Sequence, residues 1–114
     1  MQGFRVLLAV MFAGISAYTA VVVARHGLDL LPVFFGDMAE MAWPGQFNLD
    51  FMGMLTLSAL WVGWRHGFSA GGLGLAVLAF FFGAPFLTVY LLATSVQAKG
   101  DMREILLGRS RLRD

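Results

Sequence analysis

The sequence predicts an all-α membrane protein with three transmembrane helices and a short amphipathic interfacial helix between the first and second. Three observations predict it. The 114 residues are 59% apolar and 13% charged, with mean hydropathy +0.75, whereas a soluble domain carries about 25% charged residues. The apolar residues gather into three runs long enough to cross a hydrocarbon core of about 30 Å. Apart from Asp50, which stands near the start of the second run, the charges fall in the termini and connections. A water-soluble globule does not fit this composition, and a chain so aromatic with net charge +1 does not repel itself into disorder. We read residues 1–114 as a single integral membrane domain.

The first span covers about residues 6–24, an uncharged run close to 28 Å long as a helix. A signal peptide is the competing reading, with Arg5 as the positive start and Val22 and Ala24 as a cleavage pair. The apolar run exceeds the roughly 7 to 15 residues usual in such peptides, so a retained helix is preferred. Along it, Ala9, Ala13, Ala17, Ala20 and Ala24 recur at intervals of four and three on one face.

The connection from Gly27 to Gln46 is too long for a structureless loop. Within it Leu31, Phe34, Phe35, Met38, Met41 and Ala42 repeat at helical spacing, with Asp37 and Glu40 on the other face. This predicts the interfacial helix over about 30–42, capped by Asp29 with Pro32 in its first turn and ended by Pro44-Gly45.

The second span, about 47–64, begins with Asn48 and Asp50 and closes on Trp61, Trp64 and Arg65. Asn48 and Asp50 are placed to cap it or, drawn inward, to face Tyr90 and Thr94. Arg65 reads as a snorkelling anchor beside an aromatic belt. A short turn then makes the third span, about 71–97, an antiparallel neighbour. That span carries the small-residue row Gly72, Ala76, Ala79 and Gly83, and Pro85 predicts a kink. Such rows let helices approach closely in lipid, inside one bundle or between chains.

The basic tail, 98–114, holds a short helix with Asp101 and Glu104 at capping-box spacing and Gly108 as its stop. Lys99, Arg103, Arg109, Arg111 and Arg113 place the C-terminus in the cytoplasm and, across three spans, the N-terminus outside. The tail reads as a topology signal near lipid head groups. Five basic residues interleaved with acidic ones form no nucleic-acid-binding stripe.

Catalytic constellations are not legible. With no cysteine there is no thiolate chemistry, and His26 and His66 lie forty positions apart with no ligand-spaced partner, so neither a metal nor a cofactor is expected. Asp37 and Glu40, with Trp61, Trp64 and Arg65, are candidates for interface or lipid contact.

Gly36-Asp37, Asn48-Leu49-Asp50-Phe51-Met52-Gly53, Leu60-Trp61-Val62-Gly63-Trp64-Arg65, Gly83, Tyr90-Leu91-Leu92 and Leu106-Leu107-Gly108 together resemble a family of short three-helix integral membrane proteins of unknown function from bacteria and plants. The resemblance implies the three-span architecture and marks Asp37, Asn48, Asp50, Trp61 and Arg65 as matching positions. Pro44-Gly45 departs from the pattern.

These readings converge on a non-enzymatic polytopic protein of a bacterial cytoplasmic membrane. It is an accessory or self-associating subunit whose partners are the bilayer and further copies or a larger membrane complex. The alternative is a polar pocket of Asn48, Asp50, Tyr90 and Thr94 handling an apolar or lipid-like small molecule, as a carrier or an isomerase-like enzyme.

Overall fold

The computed structural model describes residues 1–109. They form α1 (Gln2–His26), α2 (Leu30–Ala39), α3 (Trp43–Arg65), α4 (Ala70–Phe82), α5 (Ala84–Gln97) and α6 (Met102–Leu107), with no strand among the described residues. Arg111 and Arg113 of the basic tail lie outside them.

Two stretches are long and apolar enough to cross a membrane, α1 and the Ala70–Gln97 segment that α4 and α5 share. The sequence reading counted three. The difference lies in α3, whose 23 residues are about 34 Å long but are diluted by Gln46, Asn48, Asp50, Thr56 and Ser58.

α3 also starts four residues earlier than expected, at Trp43. Pro44 fits its first turn because the missing N–H has no intrahelical acceptor there. The Pro44-Gly45 pair therefore opens α3, and α2 ends before it, at Ala39. Asn48 and Asp50 consequently lie inside the helix and cap nothing. Asn48 instead donates from Nδ2 to the Phe34 carbonyl of α2 at 3.0 Å. Gly45 allows this packing, since a Cβ there would collide with the Asp37 carbonyl oxygen and lie 2.8 Å from Met38 Cα. Asp29 precedes α2 as expected, but its side chain makes no cap bond.

The largest departure is in the third run. Ser69 caps α4, accepting from the Gly72 N–H at 3.1 Å, and α4 then stops at Gly83, whose φ of 59° is the left-handed region that favours glycine. Pro85 occupies the first turn of α5. The expected kink at Pro85 is therefore a complete break two residues earlier.

The chain also reverses at this break. An unbroken helix would separate Ala70 from Tyr90 by about 30 Å, yet Tyr90 Oη lies 2.7 Å from Nε2 of His66, four residues before Ala70. α4 and α5 are thus the two legs of a hairpin, each about 20 Å long, with Gly83 at its tip against Phe51 and Leu55 of α3.

α1 runs antiparallel to α5 and packs on it. Arg5 of α1 donates from Nε to Ser95 Oγ and from Nη2 to the Ser95 carbonyl, both at 3.0 Å. A Cβ on Gly100 would lie 3.3 Å from Met1 Cβ. The Met1 and Gly100 ends are therefore together, which corrects the expectation that they lie on opposite sides. We call this end, with the α3–α4 turn and α6, the base. The C-terminus of α1, α2 and the start of α3 form the far end.

The core is small. Val62, Ala79 and Tyr90 are buried, with Ala59, Trp61, Leu75, Phe86 and Leu87 around them. The α4 row serves the close packing expected of it: Gly72, Ala79 and Gly83 are buried, with Ala76 partly so. The α1 row does not, because Ala9, Ala13, Ala17, Ala20 and Ala24 are all exposed and Leu8 is the one buried residue of α1.

Candidate functional site

The buried polar residues Arg65, Thr94 and Ser95 lie at the base. Arg65, the last residue of α3, is only 8% exposed, against the expectation of a snorkelling side chain. Its Nε donates to the Ile105 carbonyl at 2.6 Å, Nη2 to the Glu104 carbonyl at 3.3 Å, and Nη1 to Tyr90 Oη at 3.0 Å. The two carbonyls belong to the last turn of α6, where a helix runs out of intrahelical N–H donors; the Glu104 carbonyl also accepts from the Gly108 N–H at 2.8 Å. Trp61 completes the attachment by donating from Nε1 to the Leu106 carbonyl at 3.0 Å. One turn of α3 thus holds the C-terminal end of α6. Gly108 follows directly, with φ 84°, so close to the Arg65 carbonyl that a Cβ would lie 2.7 Å from it.

Tyr90 links this cluster to the hairpin. Its ring stacks on Phe86 at 5.7 Å, meets Trp61 edge-on at 6.0 Å and lies 5.6 Å from the Arg65 guanidinium carbon. Arg65 can only donate, so the Tyr90 oxygen accepts from it and its own O–H is left to donate to Nε2 of His66. Both bonds then pair a donor with an acceptor when His66 is the neutral tautomer protonated on Nδ1. Burial, and then the neighbouring Arg65 charge, lower the His66 pKa below its ordinary 6.5, which keeps the ring neutral.

Beside the cluster opens a cleft of about 390 Å³, lined by Arg65, His66, Thr94, Gln97, Ala98, Glu104, Gly108 and Arg109. Arg109 pairs with Glu104 through Nε at 3.2 Å. Asp101 caps α6 by accepting from the Arg103 N–H at 3.0 Å. Among the described residues no three His, Asp or Glu gather as metal ligands. The arrangement is electrostatic, with two guanidinium groups, the Glu104 carboxylate that pairs with one of them, and the His66 imidazole lining a solvent-open hollow.

No family model, curated protein or solved structure matches the chain. The geometry therefore carries the functional reading.

The structure divides the residues expected to form one pocket. Tyr90 and Thr94 are at the base, both buried, and Thr94 donates to the Leu91 carbonyl. Asn48 and Asp50 are toward the far end, since Asp50 lies fifteen residues and about 22 Å along α3 from Arg65, the partner of Tyr90. Asp50 is exposed there, as is Glu40, while Asp37 is half-buried where α2 meets α3. Trp61 and Trp64 are both partly buried at the base.

Sequence reasoning placed Arg65 at an interface and missed its partners. They are 25 and 40 positions away, beyond the reach of helical periodicity. The contact of Arg5 with Ser95 was missed for the same reason. A local signal did exist in Gly67 and Gly108, glycines that mark tight turns on either side of the cluster.

Proposed function

We propose that the chain is an integral membrane protein in which α1 crosses the bilayer and α3, less apolar but about 34 Å long, crosses beside it. The apolar α4–α5 segment, folded at Gly83 into legs too short to span, re-enters as a hairpin from the base side. In this reading it works as a self-associating or accessory subunit and has no catalytic role. The base carries Arg5, Arg65, Lys99, Arg103 and Arg109 against Asp101 and Glu104; the far end carries Arg25 against Asp29, Asp37, Glu40 and Asp50. The positive-inside rule then puts the base, with both the Met1 and Gly100 ends, in the cytoplasm.

The hairpin tip carries the subunit reading. Each leg of about 20 Å ends short of the roughly 30 Å core, so the break at Gly83 lies within hydrocarbon. Interrupted backbone at that depth requires protein or a water-filled cavity over it. Phe51 and Leu55 bury Gly83, whose N–H donates to the Ala79 carbonyl and whose own carbonyl accepts from the Leu87 N–H, while Phe81 and Phe82 beside it are 73% and 61% exposed. In this reading a second protein surface packs on those two rings. The exposed alanine row of α1 offers the close-approach face for it.

The chain has no cysteine, so single-cysteine variants report contacts cleanly. Oxidative cross-linking in native membranes is expected to give dimers for Ala13→Cys and Ala17→Cys. Met11→Cys and Tyr18→Cys, on another face of α1, are expected to stay monomeric. Monomer at all four positions counts against self-association.

A further inference from the structure

We propose that the cleft at the base binds a phosphate group, carried by a lipid head group or free in solution. The cleft is distinct from the tip and α1 row that carry the subunit reading, and it rests on the membrane reading only for the lipid as a source.

Its walls are built for an oxyanion. Arg65 is immobilised by three hydrogen bonds and by the Tyr90 ring, so its guanidinium pays little ordering entropy when a ligand arrives. Those bonds use three of its five N–H groups, which leaves two for a ligand. Arg109 reaches the same cleft from beyond α6. Its Nε neutralises Glu104 at 3.2 Å, and its two terminal nitrogens make no hydrogen bond among the described residues. Two guanidinium groups across one hollow match the several oxygens of a phosphate, which accepts charge-assisted bonds from both.

Gln97 adds an amide donor at the rim. His66 spends Nε2 on Tyr90 and keeps Nδ1–H as a donor. The volume of about 390 Å³ exceeds a bare phosphate and has room for a substituent such as glycerol. The position suits a lipid, because Trp61 and Trp64, residues typical of the bilayer interface, lie in the same turn of α3 as Arg65.

The test uses the full chain in a neutral detergent, with dioctanoyl phosphatidylglycerol, dioctanoylglycerol and inorganic phosphate as probes and tryptophan fluorescence as the signal. Saturable binding of phosphatidylglycerol is expected, with dioctanoylglycerol, which lacks the phosphate, showing none. Arg109→Gln is expected to weaken binding about tenfold. Its side chain is 72% exposed, so the fold tolerates the change, and helicity by circular dichroism verifies that. Arg25→Gln, at the far end, is expected to bind as the wild type does.

Competition by inorganic phosphate assigns a free phosphate ligand; phosphatidylglycerol binding without that competition assigns the lipid. Equal binding of dioctanoylglycerol, or unchanged affinity in Arg109→Gln, overturns the site. Cross-linking through Ala17 is unaffected in either case, so loss of the site and loss of self-association are read separately.

Discussion

At the scale of single residues, Arg65, Tyr90 and His66 form a directional chain of hydrogen bonds in which each member fixes the next. Arg65 cannot accept, Tyr90 does both, and His66 accepts as a neutral ring. A proton on His66 Nε2 would reverse the last bond and place a second positive charge beside Arg65. Burial first, and then the Arg65 charge, lower the His66 pKa, and the sign of that shift sets the pH response. Below 6.5 the unfolded chain takes up the proton before the folded one does, so stability falls as pH falls through 6.5. The thermal unfolding midpoint in detergent is expected to drop between about pH 7.5 and 5.5. His66→Gln, whose side-chain oxygen also accepts from Tyr90, is expected to flatten the dependence, and His26→Gln at the far end to leave it intact. An unchanged slope in His66→Gln would remove His66 from the account.

At the scale of elements, the break between α4 and α5 is the decisive feature, and glycine is what permits it. At φ 59° a side chain at position 83 costs about 1–2 kcal/mol, and its Cβ would lie 3.2 Å from Phe51 Cζ and Leu55 Cδ2. Gly83→Ala is therefore expected to destabilise the protein by at least that amount in thermal unfolding. Gly74→Ala, in the interior of α4 with open space around it, is expected to cost nothing, because alanine is the better helix former. If the two variants unfold alike, the tip is not strained in the way its backbone angle implies.

The same element shows what was legible in the sequence. Run lengths gave the positions of α1, α3 and the α4–α5 segment, and Asp101 and Gly108 gave the bounds of α6, because caps and apolar runs are local properties. Gly83 and Pro85 announced a disturbance. Whether it is a kink or a reversal depends on Tyr90 finding Arg65 and His66 across 24 or 25 positions, which is a tertiary contact with no local trace. Asp50 misled for a related reason. A carboxylate near the start of an apolar run reads as a cap, and Pro44 extended the helix past it.

At the scale of the whole molecule, the reversal changes the topology and with it the sense of the charge pattern. Three full spans divide the basic residues between both sides of the membrane and leave Arg5 and Arg65 opposite the tail. The contacts of Arg5 with Ser95 and of Met1 with Gly100 gather Arg5, Arg65, Lys99, Arg103 and Arg109 at one end, the arrangement that the proposed two spans and re-entrant hairpin preserve. The connections at the base separate the two arrangements. Single cysteines at Gly67 and Gly100, treated in intact cells with a membrane-impermeant maleimide, are expected to be protected alike and to label only after the membrane is opened. Cysteine in place of Leu28, at the far end and 87% exposed, is expected to label at once. A continuous third span would put positions 67 and 100 on opposite faces, so one of them would label with Leu28→Cys and the other would not. Matching protection of both excludes a continuous third span and agrees with a chain that turns back at Gly83 before it reaches the far face.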